Sequence, residues 1–177
     1  FKEIKEMHSI EEIKKKNDCN SFAEDDPFNG NHLEGYICRH SGDDYGALFI
    51  KKVNGYKVSQ LIYCTPKITY PFDHNGKWYF PSAKIIERYE KLDGTNVFAY
   101  HYKDHKGNTF ISYKTRLMPF LRQSKFGPFL DMWKEVLKES PELKKLPEFS
   151  GLNISYELWG SRNTHLIQYD TPLWASV

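Results

Sequence analysis

The chain has 177 residues, 40% hydrophobic and 16% aromatic, which is enough apolar material for one substantial core and excludes a disordered chain. Lys plus Arg number 25 against 23 Asp plus Glu, so a formal charge of +2 gives no global attraction to nucleic acid, and any such attraction has to come from a local patch. No long apolar span or amino-terminal export pattern is present, and Cys19, Cys38 and Cys64 have no close paired spacing; this favours a cytoplasmic or other reducing compartment, no membrane association and no zinc site.

In chain order, Ser9 followed by Ile10-Glu11-Glu12 has capping-box spacing, and Lys14 to Lys16 put positive charge at the far end, predicting a short peripheral helix. Asp25 to Asn31, with Pro27 and Gly30, reads as a loop, and Tyr36-Ile37-Cys38 as a short strand. Ala47-Leu48-Phe49-Ile50 and Tyr56 to Ile62 flank Asn54-Gly55, a strong hairpin signal. Pro66 and Pro71 interrupt the next segment, and Asn75-Gly76 offers a turn before Trp78-Tyr79-Phe80. Those aromatics are expected in the core, with a nucleic acid stacking surface as the alternative. Val97 to Tyr100 reads as a strand, and Lys106-Gly107-Asn108 turns into another from Thr109 to Tyr113. Phe126, Phe129, Leu130, Trp133 and Leu137 recur mostly at three- and four-residue intervals between Gly127-Pro128 and Pro141, predicting a helix with one apolar face against a sheet. Ile154 to Leu158 reads as a strand that delivers Glu157 to a site edge, and His165 as a structural or surface histidine.

The chemistry concentrates in Glu90-Lys91-Leu92-Asp93-Gly94-Thr95-Asn96. A lysine is a weak nucleophile while protonated, and at a reference pKa of about 10.4 only roughly one in a few thousand is neutral near pH 7. Activation requires partial burial or a neighbouring cation; Asp93 alone favours the charged form and is better suited to orienting. Gly94 permits a turn or a close approach, and Asn96 can donate and accept hydrogen bonds near a sugar or phosphate. The plain alternative is a strand ending in a glycine turn, with Lys91 and Asp93 on one solvated face. No phosphate-binding Gly-rich lysine loop, serine nucleophile elbow or tandem repeat is present.

Lys91-Leu92-Asp93-Gly94, then Thr115-Arg116, then Tyr156-Glu157-Leu158-Trp159-Gly160, in that order, resembles the covalent nucleotidyltransferase family of ATP-dependent ligases and capping enzymes, and the RNA ligases in particular. The resemblance covers Glu90 to Gly160. It implies that Lys91 attacks the α-phosphate of ATP, expels pyrophosphate and forms lysyl-AMP. It further implies that Glu90 presents or recognises adenine, that Arg116 contacts the nucleotide or a donor 5′-phosphate, and that Glu157 contacts the ribose. Arg122 is a weaker phosphate candidate. With Asp93, Gly94 and Asn96 these make up the expected nucleotide site, with Mg²⁺ as the accompanying ion and metal-binding residues unassigned.

The fold so implied is α+β, a nucleotidyltransferase core whose largely antiparallel sheets flank an ATP groove. Residues 1–65 are expected to elaborate that core and 66–177 to form part of an adenylyltransferase core. Family members continue with a glutamate-containing metal motif and a lysine-rich strand, neither of which is apparent before Trp174-Ala175-Ser176-Val177; with Phe1 at the start, this leads us to expect a truncated chain. The implied activity is polynucleotide joining, on RNA in preference to DNA, between 5′-phosphate and 3′-hydroxyl ends. The alternatives are a GTP-dependent capping-type guanylyltransferase and a catalytically incomplete fragment that binds nucleotide or RNA.

Overall fold

The computed structural model describes residues 19–39, 44–66, 70–80, 82–124, 127–163 and 165–177. The helix expected around Ser9, and Phe126, lie outside them. A mixed α+β fold is observed, with two antiparallel four-stranded sheets. The first is a meander of β1 (Cys19–Asp25), β2 (His32–Cys38), β3 (Leu48–Val53) and β4 (Tyr56–Ile62). Asn54 and Gly55 both adopt positive φ, 52° and 81°, which is why Asn-Gly connects β3 to β4 so tightly.

The second sheet has the order β6-β5-β7-β8, from β5 (Thr95–Lys103), β6 (Thr109–Lys114), β7 (Ile154–Trp159) and β8 (Trp174–Ser176). Two helices, α1 (Phe129–Glu139) and α2 (Pro141–Ser150), separate β6 from β7 in the chain. The near-continuous apolar run of β5 explains the layering, because a strand covered on both faces needs apolar residues at both parities. Phe98, Tyr100 and Tyr102 pack with Leu33, Leu48 and Ile50 of the first sheet. Val97 and Ala99 pack with Tyr156, Leu158, Trp133 and Val136 on the helix side. The order is therefore sheet, sheet, helices.

A buried carboxylate fastens the two sheets. Asp26, in the turn after β1, accepts hydrogen bonds from the Phe28 N–H, Asn29 Nδ2, Tyr102 hydroxyl and Ser112 hydroxyl, at 2.7–2.9 Å. The last two reach across from the second sheet, so the charge is compensated where water is excluded.

One sequence expectation changes. The aromatics expected in the core are exposed, Trp78 at 60% and Phe80 at 72%. A short bridge from Phe72 to Trp78 around the Asn75-Gly76 turn lets Tyr70, Phe72, Trp78 and Phe80 contact one another in series, at ring separations of 5.3–5.5 Å. Helix α2 was hidden by its prolines, although Pro141 sits at the helix start where a missing N–H costs nothing. Arg122, the weaker phosphate candidate, forms an ion pair with Glu24.

Candidate functional site at the β5–β7 lip

The pairing of β5 with β7 places Asn96 directly opposite Glu157, on the side of the second sheet that faces the first. Just before β5 the Gly94 N–H donates to Glu157 Oε1 at 3.0 Å. Gly94 is needed for proximity: a Cβ there would lie 2.1 Å from the Leu158 carbonyl oxygen. The sequence reading offered this glycine for a turn or for close approach to a ligand; what lies close is the backbone of β7. Asp93 Oδ2 accepts the N–H groups of Leu166 and Ile167 at 2.6 and 2.8 Å, while the Asp93 N–H donates to the Tyr169 hydroxyl at 2.8 Å. Tyr169 in turn packs on Trp159, with ring centroids 4.8 Å apart. Lys91-Leu92-Asp93-Gly94 and the chain from Glu157 to Tyr169 thus interlock. The Asp93 carboxylate holds the loop after Gly160 through the Leu166 and Ile167 N–H groups.

The pKa values of two neighbouring carboxylates are shifted in opposite directions. Backbone N–H donation from Ile167 and Leu166 lowers the pKa of Asp93. Burial raises that of half-buried Glu157, against the opposing pull of the Gly94 N–H, Lys91 and His165. His165 is exposed and its Nε2 lies 3.3 Å from the Thr95 hydroxyl, so it belongs to the rim of this site. Lys91 and Glu90 are exposed, and Lys91 makes its electrostatic contribution from solvent. Lys91 precedes β5 instead of lying on a strand, and Arg116 follows the end of β6.

Further into the space between the sheets, polar groups replace the apolar core. Asn96 Nδ2 donates to the Ser155 hydroxyl at 2.7 Å and the Tyr156 carbonyl at 3.2 Å, and the Thr65 hydroxyl donates to the same serine at 2.9 Å. Asn96 Oδ1 is buried and has no hydrogen-bond partner among the described residues, and the same holds for Arg116 Nε. A buried polar atom left unpaired is costly; the Tyr113 hydroxyl and Trp133 Nε1, in the helix-side core, share this condition, so it does not by itself mark a site. Arg116 belongs to a separate cluster: its guanidinium lies over the Tyr45 ring at 5.5 Å, and its carbonyl accepts from Lys114.

Lys114 was missed at the sequence level. It ends β6 opposite Phe98, is 0% exposed, and its Nζ donates to the carbonyls of Gly46 and Arg116 at 3.0 and 2.9 Å. Burial pushes its pKa down to about 8. The signal was available in β6 alternation, which puts Phe110, Ser112 and Lys114 on the same face. Its enclosure suits it to holding the Gly46 and Arg116 backbone and leaves no approach for a phosphorus atom.

Among the described residues, no three His, Cys, Asp or Glu side chains cluster as metal ligands, and no helix is long and apolar enough to cross a membrane. A pocket of about 640 Å³ lies elsewhere, on the helix-facing side of β5 and β6, lined by Phe28, His101, Ile111, Tyr113, Lys134 and Lys138 among others. It contains none of the residues at the β5–β7 lip. Comparison with protein-family models, curated proteins and solved structures found no match to this chain.

Proposed function

We propose that the β5–β7 lip is the nucleotide site of an ATP-dependent polynucleotide ligase, with Lys91 as the nucleophile. The observation that carries the reading is the meeting of Lys91-Leu92-Asp93-Gly94 with Glu157: two motifs more than 60 residues apart share a hydrogen bond from Gly94 to Glu157, |i−j| = 63. The β5–β7 register, which sets Asn96 opposite Glu157, is what brings the two motifs together.

In the proposed first step Lys91, exposed and so without the burial that would activate it, attacks the α-phosphorus of ATP as its neutral amine, with a cation arriving with the nucleotide as the remaining source of activation. The phosphorus–nitrogen bond forms, the bond to the bridging oxygen breaks, pyrophosphate leaves, and the one proton displaced from the lysine nitrogen goes to solvent. Glu157 Oε1 is committed to the Gly94 N–H, which leaves Oε2 for a sugar hydroxyl. Asn96 Oδ1 supplies an acceptor, while Arg116 lies in the separate cluster with Tyr45 and Lys114. Asp93 keeps the loop through Leu166 and Ile167 against the lip. Glu90 stands at the open side, where a base would enter. Among the described residues no three His, Cys, Asp or Glu side chains cluster, and the residues that would hold Mg²⁺ are unassigned. AMP would then pass to a 5′-phosphate, and a 3′-hydroxyl would displace it to join the strands. The exposed series Tyr70, Phe72, Trp78 and Phe80 favours a single-stranded, base-stacking polynucleotide as the acceptor of this chemistry; RNA is the preferred substrate on the motif resemblance.

Labelling with ATP and with GTP, each radioactive at the α-phosphate, tests the reading. Covalent label from ATP is expected. Label from GTP alone would replace it with capping-type guanylyl transfer, and no label in a folded sample that binds ATP would reduce it to a binding role.

A further inference from the structure

Cys19 opens β1 and Cys38 closes β2, and the antiparallel register sets them directly opposite each other with their Sγ atoms 3.0 Å apart. Opposed residues in such a pair have Cα atoms about 4.5–5.5 Å apart, within the roughly 4.4–6.8 Å that a disulfide spans. Bond closure therefore asks for side-chain adjustment only. Their surroundings differ. Cys19 is partly exposed, while Cys38 is buried against Ala47. Burial and the hydrogen bond with Cys19 raise the pKa of Cys38. Cys64 is spoken for in another place, with its sulfur 3.6 Å from Lys114 Nζ.

We propose that Cys19 and Cys38 form a redox-active dithiol whose substrate is a low-molecular-weight disulfide. The accessible Cys19 sulfur attacks one sulfur of that disulfide, releases a small thiol and becomes a mixed disulfide. The adjacent Cys38 sulfur then attacks Cys19, gives its proton to solvent and releases the second small thiol. Two protein thiols are oxidised to one disulfide, and one small disulfide is reduced to two thiols. Proximity compensates for the reluctance of Cys38 to ionise, because the second attack is intramolecular.

The bridge would tie the start of β1 to the end of β2. Cys38 also exchanges backbone hydrogen bonds with Gly46 and Ala47 at 2.9 Å, and the Gly46 carbonyl accepts from Lys114. The oxidised pair would thus brace the strand end that carries the Lys114 cluster. This inference does not depend on the nucleotide reading.

The test is intact mass and non-reducing peptide mapping of the whole chain after incubation with oxidised glutathione. Loss of two hydrogens is expected, mapped to a Cys19–Cys38 link and reversed by dithiothreitol. It should persist in Cys64→Ser and vanish in a Cys19→Ser protein whose circular dichroism matches wild type. A stable glutathione adduct on Cys19 without the link, a link through Cys64, or unmodified thiols throughout the incubation would overturn the proposal.

Discussion

The two faces of the second sheet have opposite characters. Toward the helices, Val97, Ala99, Tyr156 and Leu158 meet Trp133 and Val136 in an apolar layer. Toward the first sheet, Phe98, Tyr100 and Tyr102 continue a core of the same kind, but Asn96, Ser155, Glu157 and Lys114 make one end of it polar. The helix face is apolar apart from the buried Tyr113 hydroxyl and Trp133 Nε1, which, like Asn96 Oδ1 and Arg116 Nε, have no hydrogen-bond partner among the described residues. What sets the polar end apart is ionisable: the half-buried Glu157, whose pKa burial raises, and the fully buried Lys114. The difference teaches where stability is made and where chemistry can be done.

The largest effect should come from the helix face. Trp133 is 0% exposed and its ring packs on Tyr113 and Tyr156, each at 5.3 Å. Trp133→Ala should cost about 3–5 kcal/mol in denaturant unfolding, through lost burial and an unfilled cavity. A cost below about 1 kcal/mol would mean that this layer is not the stabilising one.

An intermediate effect is expected from Lys114. Burial puts its pKa at about 8 against 10.5 in the unfolded chain. Below about pH 8 both states hold the proton and the folded protein bears the full desolvation cost; above it the unfolded chain binds more protons, so stability from this group rises with pH. Wild type should therefore gain on Lys114→Met by about 2 kcal/mol between about pH 7 and pH 10. A flat difference would show that the ammonium is better solvated than the fold implies.

Glu157→Gln should have the smallest effect on stability and a large one on function. The amide oxygen can still accept the Gly94 N–H, so unfolding should shift by about 1 kcal/mol or less, while covalent ATP labelling should fall sharply. Unchanged labelling would remove Glu157 from the site.

Much of this was legible in the sequence where local chemistry decides. Asn54-Gly55 marked its hairpin, the spacing of Phe129, Leu130, Trp133 and Leu137 marked α1, and Ile154 to Leu158 marked β7. The packing of Gly94 on the Leu158 backbone was not legible, since Leu158 lies far along the chain; the sequence offered only a turn or close approach to a ligand there. Pairings across distance were hidden for the same reason: Cys19 with Cys38 is a matter of register, and sequence spacing says nothing of it. Trp78 and Phe80 misled because apolar character predicts burial only if a partner surface exists, and here the rings pack mainly on one another. Lys114 was overlooked because the strand was read as ending at Tyr113, one residue short of its observed end.

Two lysines stand out chemically: Lys91, exposed beside Glu157, and Lys114, buried with a lowered pKa. The most direct measurement is intact-protein mass after incubation with ATP and Mg²⁺, for wild type and Lys91→Ala, followed by mapping of any modified lysine. The account predicts one AMP added to wild type at Lys91 and none to the folded variant; equal addition to both, or AMP mapped to Lys114, would contradict it.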